Sequence, residues 1–310
     1  IMYHYQRAEQ SLKAISYELE LLSVTLHFRH ELFPTIIQEN HYPQPFEESS
    51  HEVNVERFED LAQRLNHLDD IQENSSLYRL VLIKYYYLVG RYGIRMGSYR
   101  QGLANIHQVI ALASELDNHY YLLASYRQMI NYAIQVDDPQ EMSYYLDLAF
   151  EVAFDDNNYE MLGTLLRLRG LWYLMRGDLA QAEDHFKQSL NYFSILNKAT
   201  MKYIASLAAT YDYLAEVYRI RKDYKQAFYY HSVAIDSTKT SNFPKSTEAL
   251  VHINYGISSF QAGDLDQALI HLQMGENTMR QTVSFWKEAQ MQAYLALFFS
   301  KQENYDACLK

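Results

Sequence analysis

A pattern of small, turn-forming and aromatic residues that returns every 40 to 45 residues constrains this chain more than any other feature. In Leu166–Leu190, Gly170 is followed by Tyr173, a Gly177-Asp178-Leu179 turn, then Ala182, Phe186 and Ser189. Ala215, Tyr218, Tyr224, Ala227, His231 and Ala234 repeat the frame, as do Gly256, Gly263, Leu265, Ala268, Leu272 and Gly275. Upstream, Gly90, Gly97, Tyr99, Gly102, Ile106 and Val109 form another copy. Looser copies are anchored at Ile130, with Met142, Leu146 and Ala149, and at Ala296, with Phe299, Tyr305 and Cys308. A period of this length belongs to chains that stack one supersecondary unit on the next and bury a continuous core between neighbours.

Glycine placement checks the frame independently. Eight of the ten glycines fall on four of its positions. Three of these need a small side chain so that two antiparallel helices can approach closely, and the fourth closes a helix with a residue tolerant of positive φ. Pro139 and Pro244 lie between expected helices, as does Pro34. The spacing predicts first helices of each pair at about 78–96, 119–136, 158–176, 200–221, 245–262 and 284–301. It predicts second helices at about 99–115, 139–154, 179–197, 224–240 and 265–282, with a last one starting near 304. The expected fold is all-α, a right-handed superhelix of about six hairpins of roughly 40 residues.

Residues 1–75 do not fit the frame and read as an atypical helical cap or linker. A helix at about 5–32 ends near Pro34, and a polar link, His41–Glu52, leads to a helix at about 54–68 with Asn54 as its N-cap. Asn304–Lys310 reads as the opening of a second helix cut short, as expected for a piece of a longer protein whose array spans 76–310.

Several function classes are disfavoured. The net charge of −11 argues against direct nucleic-acid binding, which needs clustered Lys and Arg. Apolar runs such as Tyr203–Ala209 are too short to cross a membrane, and the first residues lack a leader pattern. The single cysteine, Cys308, excludes an intramolecular disulfide framework and suits the cytosol; its place in a small-residue slot favours burial. His27 and His30 lie three apart without a third ligand, so neither metal nor cofactor is expected. Gly90–Gly102 lacks the order of a phosphate loop. The pairs Asp69-Asp70, Asp137-Asp138 and Asp155-Asp156 suit helix caps better than catalysis. No catalytic set emerges, and the expectation is a binding protein rather than an enzyme. The 29 tyrosines, large rings with one polar tip, suit half-buried surfaces between helices and on binding faces.

The copies at Gly170 and Ala215 resemble the tetratricopeptide signature, with small residues at positions 8 and 27, a large one at 11, a turn near 15, Ala at 20 and an aromatic at 24. The resemblance implies a concave groove lined by first-helix positions 2, 5, 9 and 12. Those positions hold Lys84, Tyr87 and Arg91, then Arg127 and Asn131, then Arg167 and Leu171. They continue with Asp212, Glu216 and Arg219, and end in the apolar Leu250, Ile253, Ile257 and Phe260. Guanidinium groups suit carboxylates and phosphates, and an Asn amide can hold an extended peptide backbone. The expected occupant is a peptide, a small acidic effector or a protein partner. The long period resembles the effector-binding arrays of bacterial transcription activators of the MalT type, and also peptide-pheromone receptors of the Rap and NprR kind. This implies a sensor attached to further domains; a passive protein–protein scaffold is the alternative. Residues 1–75 do not match the amino-terminal helical bundle of Rap proteins, and the chain has no ATPase motif.

Overall fold

The computed structural model describes residues 11–26, 50–72, 75–240, 243–281 and 287–302. Among them are thirteen α-helices and no strand. The helices are α1 (Ser11–Thr25), α2 (His51–Gln72), α3 (Ser76–Arg95), α4 (Tyr99–Glu115), α5 (His119–Gln135), α6 (Pro139–Asp155) and α7 (Tyr159–Met175). They continue with α8 (Leu179–Thr200), α9 (Ile204–Ile220), α10 (Tyr224–Thr238), α11 (Lys245–Ala262), α12 (Leu265–Met279) and α13 (Glu288–Lys301). The frame locates every hairpin from α3 to α12, with ends shifted by at most a few residues. His27, His30, Pro34, Asn304–Lys310 and Cys308 lie outside the described residues.

Seven of the connectors share one turn. Each of these places a single left-handed residue after the helix, at Gly97, Asp117, Asp137, Asn157 and Gly177, a strict 20-residue cadence, and again at Lys222 and Gly263. The amide one residue later bonds back to the helix it has just left, as Asn118 does to the Ala113 carbonyl and Asp138 to the Ala133 carbonyl, both at 2.8 Å. That same residue then opens the next helix. The side chains of Asn118, Asn158, Asp178, Asp223 and Asp264 each accept from the backbone three residues on. Asp138 accepts from Gln140 and Glu141 at 3.0 and 2.9 Å, which is the capping role its acidic pair suggests.

Glycines in the helices do what the spacing demands. A Cβ on Gly93 would sit 2.9 Å from the Gly102 Cα, so α3 and α4 touch backbone to backbone. A Cβ on Gly170 would meet the Phe186 ring at 2.6 Å.

The described residues divide into two compact units, those up to 152 and those from 153 on. In the first unit, Leu12, Ile15, Leu19 and Leu22 of α1 pack with Phe58, Leu61 and Leu65 of α2 and with Tyr78, Val81 and Leu88 of α3. The described residues before 75 therefore share a core with the first repeat. Asn54 is not an N-cap: α2 begins at His51, and Asn54 lies inside it, 5% exposed, its backbone amide bonded to the Ser50 carbonyl at 3.1 Å. In the second unit Phe186 stacks on Tyr213 at 5.2 Å, and Ile253, Ile257, Leu272, Met291 and Leu295 fill the space among α11, α12 and α13.

Candidate functional site

In the first unit the candidate face lies on α3 and α5, the first helices of their hairpins. Lys84, Tyr87 and Arg91 recur at helical spacing on one side of α3, and Arg127 and Asn131 sit one turn apart on α5. All five are half-buried. The two helices touch through Tyr87, which meets Tyr121 edge-on at 5.7 Å. Burial, with Tyr120, Tyr87 and Glu20 nearby, pushes the Tyr121 hydroxyl far above its ordinary range, so it stays neutral. Lys84 reaches back to α1, donating to Glu20 at 2.7 Å and to Ser16 at 3.0 Å. The Asn131 amide makes no side-chain hydrogen bond among the described residues.

The second unit treats its polar residues differently. Asp212, Glu216 and Arg219 recur at helical spacing on α9, yet Asp212 is 0% and Glu216 only 7% exposed. A buried carboxylate is tolerated only when its lone pairs are met. Asp212 Oδ1 lies 3.0 Å from His231 Nδ1 of α10, and its Oδ2 accepts from Asn254 Nδ2 of α11 at 2.5 Å. Glu216 accepts from Arg219 Nε at 2.7 Å, and its Oε1 is 3.5 Å from Lys287 Nζ. Lys287 also donates to Asn254 Oδ1. Burial raises the Glu216 carboxyl, but the Lys287 and Arg219 charges more than offset it and hold it below the usual carboxylate range. Arg219 continues to Gln261 at 2.8 Å, and Gln261 donates to Tyr294 at 2.7 Å.

His231 connects this network to a column of rings. Its Nε2 is 2.8 Å from Ser258 Oγ, its face stacks on Tyr255 at 5.2 Å, Tyr255 stacks on His271 at 4.1 Å, and His271 stacks on His252 at 5.2 Å. Burial, then His252 and His231, lowers the His271 pKa to about 4. Asp212, His231 and Ser258 thus share the connectivity of a nucleophilic triad. All three are 0% exposed, so the Ser258 hydroxyl has no approach for a substrate and the chain of bonds serves packing.

Other groove expectations are placed as follows. Arg167 is 3% exposed, donates to the Ser206 carbonyl at 3.4 Å and lies over the Phe193 ring at 5.8 Å. Leu171, one turn on, is half-buried. Ile253 and Ile257, expected on a groove wall, are 0% and 1% exposed core residues, because α12 approaches so closely at Gly275 that Ile253 Cγ1 lies 2.7 Å from where its Cβ would be. On α11 the polar positions are instead Asn254, Ser258 and Gln261, which the frame missed. Their spacing copies that of Asp212, Glu216 and Arg219, and that parallel was the available signal. No helix of the described residues is long and apolar enough to cross a membrane, and no three of their His, Cys, Asp or Glu residues are grouped to hold a metal ion.

These hairpins, with small residues where paired helices cross and left-handed turns at seven connectors, define the tetratricopeptide-like class of helical repeat folds. The chain is similar to NprR in complex with its cognate peptide NprX (TM-score 0.59, 16% identity, covering 83% of this chain and 73% of that one). It is similar to the apo form of RapI (TM-score 0.61, 13% identity, covering 83% and 90%) and to BtubC (BKLC) from P. vanneervenii (TM-score 0.59, 14% identity, covering 73% and 91%). At these identities the likeness is one of fold. No protein-family model and no curated protein sequence matches the chain.

Proposed function

We propose that this chain is a non-catalytic binding array that takes a short peptide or another acidic effector on Lys84, Tyr87, Arg91, Arg127 and Asn131. On this reading it is the sensing region of a larger cytoplasmic regulator, such as a transcription activator, with residues 1–75 capping an array that spans 76–310. The observation that carries the reading is Asn131, a half-buried amide one turn from the Arg127 guanidinium on α5, the helix that also meets Tyr87 of α3 through Tyr121. An amide so placed suits a peptide backbone, which offers a donor and an acceptor together. The fold shared with NprR, solved with its peptide NprX, supports the peptide class.

The test is calorimetric titration of a short-peptide library against the parent chain and against Asn131→Ala. The reading expects a peptide that binds the parent and loses about two- to twelve-fold affinity in the variant, the range of one hydrogen bond of about 0.5–1.5 kcal/mol. A scaffold, the second class, would capture folded proteins while binding no short peptide.

A further inference from the structure

Lys287 is the cap residue that opens α13, and its ammonium points into the second unit's network. Two acceptors meet it there. Asn254 Oδ1 takes a hydrogen bond from Nζ, and Glu216 Oε1 stands 3.5 Å away. The Asn254 amide is held in that orientation because its Nδ2 is engaged by Asp212. Glu216 is nearly buried, whereas the Lys287 side chain is 26% exposed, so the cation sits on the open side of the pair. The Lys287 backbone is left-handed, with φ of 63°, a conformation that side chains bearing a Cβ rarely adopt. The acceptors come from α9 and α11, and Lys287 reaches them from the start of α13.

We propose that Glu216 and Asn254 form a site for a primary ammonium group, which Lys287 fills as a tethered occupant. A ligand amine, either a lysine side chain or a free amino terminus, takes the same place by displacing Lys287, whose high effective concentration weakens the competition in the parent chain. The site is compact and favours charge: Arg219 is held on Glu216 Oε2, and an alcohol of equal size leaves the buried Oε1 facing no ammonium. That the natural amine belongs to a peptide rests on the function proposed above; the ammonium site itself does not.

Full-length Lys287→Gly empties the site and suits the left-handed backbone. n-Butylammonium, which reproduces the missing side chain from Cβ outward, is the probe, and n-butanol is its neutral control. Lys287→Gly is expected to melt several degrees below the parent. Butylammonium should raise its midpoint saturably, with a half-saturating concentration at least tenfold lower than in the parent, and butanol should not. Lys287→Met, which refills the space with a neutral stem, and the double variant Lys287→Gly with Glu216→Gln should both be indifferent to the amine. Equal response to butanol, a response that survives Glu216→Gln, or no response in Lys287→Gly overturns the proposal. If Lys287→Gly folds only with help, its refolding yield in amine against alcohol distinguishes the same outcomes. Two peptides tested on Lys287→Gly, one amino-acetylated with a lysine and one lysine-free with an open amino terminus, then separate the sources of the amine. Binding of neither, with butylammonium rescue intact, removes the peptide reading and leaves the ammonium site standing.

Discussion

The two units carry polar residues on equivalent helices and bury them to different depths. On α3 and α5 of the first unit, Arg91, Arg127 and Asn131 stay half-buried, and the Asn131 amide has no internal bond among the described residues. On α9, α10 and α11 of the second, Asp212, Glu216, His231, Asn254 and Ser258 are buried and hydrogen-bonded within the unit. The lesson is that position on the repeat does not decide role. A polar residue at a groove position binds a ligand only if its neighbours leave it unsatisfied; where a counter-ion and an amide lie within reach, it becomes internal structure.

The comparison breaks most sharply at Asp212. Asp212→Ala strips an acceptor from His231 and from Asn254 at a site with no exposure, and should cost about 3–5 kcal/mol. Urea unfolding with tryptic mapping should show residues beyond 153 losing protection first; a loss under about 1 kcal/mol would mean the network is incidental to the fold. Next come the two glycine crossings. Gly93→Ala drives a Cβ against the Gly102 backbone, which cannot yield, and should cost about 1–3 kcal/mol. Gly170→Ala meets the buried Phe186 ring rather than backbone, and Phe186→Leu should relieve part of its cost in a double-mutant cycle.

A smaller effect is acid sensitivity confined to the second unit. The folded His271 pKa of about 4 lies below the unfolded 6.5, so the folded form binds fewer protons between these values. Stability is therefore full above pH 6.5 and declines as pH falls toward 4. Glu248, Asp212, His252 and His231 share that environment. His271→Phe should flatten the midpoint-against-pH curve over that window, and an unchanged slope would assign it to other groups, first of them His252, whose pKa burial also lowers. Smallest of all is Asn131→Ala, expected to leave stability within about 0.5 kcal/mol while weakening peptide binding. Equal losses of stability and binding would make Asn131 structural and erase the contrast between the units.

The sequence was most legible where geometry permits one kind of residue. Gly97, Gly177 and Gly263 announce their turns because left-handed backbone favours glycine. Asp117, Asp137, Asn157 and Lys222 occupy the same slot without announcing it, and there the Asn or Asp that follows carries the signal. Burial of charge was not legible. Arg167 and Asp212 sit at frame positions that suggest solvent, and only the neighbours brought by other helices, Ser206 and Phe193 for one and His231 and Asn254 for the other, reverse that reading. Ile253 was misplaced because a frame fixed on Gly256 does not show how far Gly275 draws the next helix inward.

The evenly spaced left-handed residues from Gly97 to Gly177 have a consequence for how such a chain can change length. Since the turn inside a hairpin and the turn between hairpins are alike, the interchangeable module is one helix of 20 residues rather than a pair. Duplicating or deleting one module would keep every turn intact and exchange first-helix for second-helix roles in everything that follows. Only even numbers of modules preserve parity, so the step that lengthens this stretch without exchanging first-helix and second-helix faces is two modules, roughly 40 residues.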